Sequence, residues 1–236
     1  MAFHLVLASA SPRRRELLER LGFSVKVMPS SIEEARLDGE SPENYVKRMS
    51  RAKVLSVVER LQQNIYIESE VKKPAKSSNV AAARREPSLR WIVGADTVVV
   101  LGERILEKPK DNNEAFEMLQ SLSGCEHLVI TGFCIFDLVK NKEGIQAVSS
   151  NVKFKRLSKS EIERYLSIGE SQDKAGAYAV QGVGAYLIES ITGSYTNIVG
   201  LPLCQVIEML EEMGATELLP FIGSIPAGRA QPPDLK

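Results

Sequence analysis

Trp91-Ile92-Val93-Gly94-Ala95-Asp96-Thr97-Val98-Val99-Val100-Leu101-Gly102-Glu103-Arg104-Ile105-Leu106 is a β-branched apolar run, a two-residue turn and a short return. It predicts a buried strand over 91–101 and a hairpin partner over 104–106. One residue breaks the pattern. Burying an unpaired carboxylate costs several kcal/mol, so Asp96 must face a cation, a metal or a wet cleft, or else bond a turn at the strand's end. Gly94 beside it lets another backbone or a ligand come close.

Toward the N-terminus, Phe3 to Ala8 reads as a short buried strand. A helix is expected over 12–21, capped by Ser11, with Pro12 in its first turn and Gly22 as its stop. Val25 to Met28 reads as a second strand, and Ser41-Pro42-Glu43 opens a helix expected to reach about Gln62. Residues 63–88, containing Lys72-Lys73-Pro74-Ala75-Lys76-Ser77-Ser78-Asn79, lose periodicity and read as a mobile insertion.

Toward the C-terminus, Asp111 with Glu114 forms a capping box for a helix ending near Gly124. Strands over 127–139 and 145–157 are expected around a turn at Asn141-Lys142-Glu143-Gly144, followed by a helix from Ser158 to Ile168. Ala185 to Ile191 reads as the last strand, and a final helix follows Pro202 and closes at Gly214. The alternation of strands and helices without an internal repeat predicts an α/β fold with a mixed, twisted sheet and flanking helices. Residues 1–224 form one expected domain, and the proline-broken tail 225–236 is expected to be disordered.

The chain has 236 residues, 44% of them hydrophobic, enough for a substantial core. Its 30 basic and 30 acidic side chains cancel, which argues against nucleic-acid binding through a global positive field. Cys125, Cys134 and Cys204 lack paired spacing and read as reduced thiols. The apolar start is followed by Ser-Pro-Arg-Arg-Arg, the reverse of a secretory signal, and no run is long enough to span a membrane, so the cytoplasm is the expected location.

Several residues sit against local rules. Arg13, Arg14 and Arg15 crowd the positive end of the first helix, where each cation costs about 0.3–1 kcal/mol unless something negative offsets it. With Ser9, Ser11 and the free N–H groups they make a phosphate receptor, or else a capped surface helix with solvated arginines. Lys53 projects from the apolar side of its helix, among Val46, Met49 and Val57, and must snorkel or meet an anion. Glu33 and Glu34 supply either a cleft carboxylate or an exposed acidic pair. Glu107-Lys108-Pro109 is a charged loop, and Lys174 to Gly184 is rich in small residues and carries the Gln181 amide.

Taken in order, Ser9-Ala10-Ser11-Pro12-Arg13-Arg14, Gly94-Ala95-Asp96-Thr97-Val98, Glu107-Lys108-Pro109, Ser123-Gly124 with His127 and Thr131-Gly132, Lys174-Ala175-Gly176-Ala177-Tyr178 with Gln181-Gly182, and Gly193-Ser194-Tyr195 with Gly200-Leu201-Pro202 resemble the Maf family of nucleotide pyrophosphatases over about residues 3–214. The resemblance implies a fold related to inosine triphosphate pyrophosphatases, with two lobes around a central cleft and, in many members, a homodimer. It implies a nucleoside triphosphate substrate and a divalent cation, Mg²⁺ or Mn²⁺, held by Asp96 and Glu34. It gives Asp96 the role of general base or metal organiser, places Ser9, Arg14, Lys53 and Lys108 beside the triphosphate, and makes Arg13, Thr97 and Gln181 the set that goes with dTTP and UTP. The branch acting on 7-methyl-GTP usually carries Trp and Glu at the first and last of these three. The long segment 63–88 departs from the family pattern. The rival reading is a noncatalytic nucleotide-binding regulator of cell division, against which Asp96, Glu34 and Lys108 argue.

Overall fold

A computed structural model of the protein describes residues 4–71, 89–215 and 218. Its strands are β1 (His4–Leu7), β2 (Ser24–Val27), β3 (Trp91–Leu101), β4 (Arg104–Leu106), β5 (Glu126–Asp137), β6 (Lys142–Phe154) and β7 (Ile188–Thr192). Its helices are α1 (Pro12–Arg20), α2 (Pro42–Val71), α3 (Asn112–Leu122), α4 (Lys159–Ser167), α5 (Tyr195–Val199) and α6 (Leu203–Glu212), with short 3₁₀ turns at Ala175–Ala177 and Gly182–Leu187. The seven strands form one mixed sheet in the order β2-β1-β3-β5-β6-β7, with β4 also on β3. β1 runs parallel to β2 and β3, and the remaining pairs are antiparallel.

The hairpin expected around Asp96 forms as read, with Leu101 opposite Arg104. β3 is covered by β5 along one edge from Trp91 to Val100. On its other edge β1 reaches only Val93 and β4 begins only at Val99, so among the described residues no strand lies there beside Gly94 to Val98. The expected cleft is this split in the sheet. Because β-strand side chains alternate, Asp96 faces α2 on one side while Thr97 faces α1 and α5 on the other.

Two glycines set how close α2 lies to the sheet. A Cβ on Gly94 would meet Val54 Cγ2 at 2.7 Å, and one on Gly132, the cross-strand neighbour of Asp96, would meet the Val46 carbonyl at 2.4 Å. The close approach expected at Gly94 is therefore that of a helix. Val46, Met49, Val54 and Val57 fill the interface from α2.

Some boundaries differ from the sequence reading. α2 continues to Val71, through a stretch with no Gly or Pro to stop it, so 63–71 belongs to the helix and not to an insertion. The rest of the expected insertion, 72–88, and the expected tail 225–236 lie outside the described residues. The β5–β6 turn falls at 138–141, because Asp137 Oδ1 accepts from the N–H groups of Val139 and Lys140. Gly144 sits inside β6 because Met209 Sδ would lie 2.6 Å from a Cβ there. Residues 182–187 are a 3₁₀ turn, so the strand expected from Ala185 begins only at Ile188. Ser158 and Glu161 do form their reciprocal capping box. All three cysteines are free, and no described helix is long and apolar enough to cross a membrane.

Candidate functional site

The split in the sheet opens into a cavity of about 500 Å³. Its wall carries the cations Arg13, Arg14, Lys53, Lys108 and Lys174 and the carboxylates Glu34, Asp96, Glu107 and Asp173. Val99, Val129, Ile198 and Val180 add an apolar patch. An anionic group and an apolar one can thus be held side by side.

At the α2 side, Lys53 Nζ lies 2.6 Å from Asp96 Oδ1 and 2.7 Å from Glu34 Oε1. Lys53 and Asp96 are buried, so the lysine meets anions and does not snorkel out. Burial alone would push the Glu34 carboxyl up, but the Lys53 contact with the charges of Lys53, Lys108 and Arg14 outweighs it and holds that carboxyl below its ordinary range. The second oxygens of Asp96 and Glu34 accept no hydrogen bond among the described residues. Hard oxygen donors of this kind suit Mg²⁺ or Mn²⁺. No cluster of three or more His, Cys, Asp or Glu ligands exists among the described residues, and Asp96 and Glu34 would supply two oxygen donors to such an ion.

At the α1 side, Arg14 is locked in place. Its Nε donates to Gly200 O at 2.7 Å, Nη1 to Ser9 Oγ at 3.0 Å and Nη2 to Thr97 Oγ1 at 3.0 Å. Desolvation lowers the pKa of the guanidinium, against the pull of Asp96 and Glu34, but an arginine remains charged at neutral pH. These contacts leave one N–H on each terminal nitrogen uncommitted. Gly200 terminates α5 at φ 114°, a conformation that favours glycine and presents this carbonyl.

Ser11 was expected to cap α1, but its side chain makes no capping bond. Its own N–H donates to Ser9 Oγ at 3.3 Å. Ser9 Oγ accepts twice and keeps its proton free to donate. The start of α1 therefore offers unsatisfied donors where the sequence shows three arginines.

The other expected residues are divided. Lys108 and Arg13 line the cavity, Arg13 with Asp173 3.8 Å from its Nη1. Gln181 is half-buried one position beyond Val180 and is not among the lining residues, and neither is exposed Glu33. Tyr45 lines the cavity and was not anticipated; on an apolar helix stripe it reads as core. Its hydroxyl has no hydrogen bond among the described residues, and burial with the charges of Asp96, Glu34 and Glu107 pushes it up to about 12. Tyr178 forms part of the wall and is tied at 2.8 Å to buried His127 Nε2.

The model of the Maf-like protein family matches residues 4–213. The chain is a member of the Maf family. Among curated relatives, the dTTP/UTP pyrophosphatase of Syntrophotalea carbinolica is 43% identical over 91% of this chain and 86% of that protein. The dTTP/UTP pyrophosphatase of Geotalea uraniireducens is 42% identical over 91% and 97%, and that of Clostridioides difficile is 42% identical over 89% and 94%. A solved nucleoside-triphosphatase (dITP/XTP pyrophosphatase) of Mycobacterium abscessus superposes with a TM-score of 0.37 at 12% identity, over 93% of this chain and 100% of that one, too slight a likeness to support a statement about chemistry. Within this Maf chain, every expected site residue except Glu33 and Gln181 lines this cavity.

Proposed function

We propose that this Maf-family chain is a nucleotide pyrophosphatase that hydrolyses dTTP, UTP or a modified pyrimidine triphosphate at the α–β linkage, giving nucleoside monophosphate and pyrophosphate. The observation that carries the reading is the buried Lys53 ammonium clasped by Asp96 and Glu34, across a single cavity from the fixed guanidinium of Arg14. The names of the relatives supply the reaction and the bases.

A triphosphate brings about four negative charges, which a site must neutralise before water can attack. The free N–H groups of Arg14, the Ser9 hydroxyl, Arg13 and Lys108 meet the phosphate chain. The patch of Val99, Val129 and Ile198 takes the less polar part of the nucleoside. Asp96 and Glu34 would hold Mg²⁺ or Mn²⁺, which would supply charge neutralisation and acidify water when bound. Asp96 either accepts the proton of the attacking water or organises the metal. Lys53 keeps the two carboxylates together when no other cation does. Thr97 and Gln181 belong to the pyrimidine-selecting set, Gln181 from just outside the wall. The same reading includes residues 1–224 as one catalytic domain, a homodimer and a cytoplasmic setting.

Offering UTP, dTTP, CTP, GTP and ATP separately with Mg²⁺ tests the assignment. Preferred turnover of UTP and dTTP is expected. Nucleotide binding with no turnover of any of them would replace the enzyme by a sensor.

A further inference from the structure

A line of hydroxyl groups crosses the sheet behind Arg14. Arg14 Nη2 donates to Thr97 Oγ1 at 3.0 Å, Thr97 Oγ1 lies 2.9 Å from Thr131 Oγ1, and Thr131 Oγ1 donates to Asn197 O at 2.9 Å. Each hydroxyl owns one proton, and a carbonyl can only accept. The Thr131 proton is therefore spent on Asn197, so the Thr97 proton goes to Thr131. Thr97 is left to meet the guanidinium as an acceptor, the only polarity a cation tolerates.

The far end of the line is anchored. Thr131 and Asn197 are fully buried, and neither lines the cavity. Asn197 Nδ2 donates to Val129 O and Ser150 Oγ, and its carbonyl also receives the N–H of Gly200 at 2.9 Å. The α5 segment thus reaches Arg14 twice, directly through Gly200 O and indirectly through Thr131 and Thr97.

We propose that Thr131 is a positioning residue for the triphosphate, acting through Thr97 to fix the plane of the Arg14 guanidinium. The Thr97 hydroxyl accepts from the Arg14 cation and donates to Thr131, which ties the guanidinium to the buried end of the line. The proposal rests on the reading of Arg14 as a phosphate ligand.

Thr131→Val keeps the shape and the strand preference and removes only the hydroxyl. Loss of one bond in a charge-assisted set is expected to lower kcat/KM for UTP about ten-fold, with Thr131→Ser restoring it. In an Arg14→Lys background, where no fork remains to be oriented, the same change is expected to cost nothing further. Equal losses in both backgrounds would overturn the proposal and leave Thr131 as a packing residue. Thr97→Val enters the line from the other side, in case Thr131→Val does not fold. It is expected to lower kcat/KM for UTP by a similar factor and to cost nothing further in the Arg14→Lys background, and equal losses in both backgrounds would overturn the proposal. If Arg14→Lys itself retains full kcat/KM, the phosphate reading of Arg14 fails. If Arg14→Lys is impaired and Thr131→Val is not, only the positioning role fails.

Discussion

Acidification from pH 7 to pH 5 is expected to destabilise the protein through His127, which supports the Tyr178 wall of the cavity. The ring is 3% exposed and stands edge-on to Phe154 and Tyr178 with centroids 5.1 and 5.4 Å away. Its Nε2 meets Tyr178 Oη, and its Nδ1 has no partner among the described residues. Burial lowers its pKa from 6.5 to about 4. The unfolded chain therefore takes up the proton first as pH falls. The stability contributed by the neutral ring is present above about pH 6.5 and is lost progressively toward pH 4. Linkage over that interval gives about 2 kcal/mol lost by pH 5 and about 3 kcal/mol at the limit. For a chain of this size the loss by pH 5 corresponds to a fall in Tm of about 4–8 °C. Carboxylates also titrate, so the assay compares urea unfolding of the wild type with that of His127→Gln at both pH values. The variant keeps a hydrogen-bonding group but cannot titrate. It starts less stable and is expected to lose about 2 kcal/mol less than the wild type on acidification. Parallel losses in the two proteins would refute the argument.

Tyr45, held protonated to about 12, is expected to show no ionisation in the pH–rate profile below pH 10; an alkaline limb that disappears in Tyr45→Phe would contradict this. Gly132→Ala drives a methyl group into the Val46 carbonyl, which as backbone cannot yield, so a cost of about 1–3 kcal/mol is expected in denaturant titration. The displaced α2 should carry Lys53 from Asp96 and lower UTP turnover as well. Asp96→Asn preserves size but removes charge and is expected to cut turnover about 100-fold if Asp96 is the base, with near-normal turnover in a folded variant ruling out that role. Gln181→Glu is expected to change the ranking of nucleotides in a competition assay, and an unchanged ranking would remove Gln181 from the selecting set.

Much of the scaffold was legible wherever one local rule had no competitor. The 91–106 hairpin follows from β-branched residues and a Gly102-Glu103 turn, and α4 follows from the reciprocal Ser158–Glu161 box. Misreadings occurred where a residue type had two uses. Gly144 reads as a turn residue, but α6 needs the space above it, and the turn is organised instead by Asp137. Ala185 to Leu187 is apolar enough for a strand and folds as a 3₁₀ turn, while α5 is too short to show a helical period.

The site divides in the same way. That Asp96 needs a cation, and Lys53 an anion, follows from each residue alone. That each satisfies the other depends on Gly94 and Gly132 letting α2 descend onto the sheet; the sequence shows a close approach at Gly94 but not that α2 makes it. Ser9 as the acceptor of both the Ser11 N–H and Arg14, and Thr131 with Asn197 behind Arg14, follow from hydrogen-bond distances across the fold. No spacing along the chain announces them.

The most direct test of the central claim, that this cavity cleaves a triphosphate between its α and β phosphates, is a product balance with UTP or dTTP and Mg²⁺. One pyrophosphate for each monophosphate formed, with no orthophosphate, is the result the account predicts. Release of orthophosphate and a nucleoside diphosphate would contradict it.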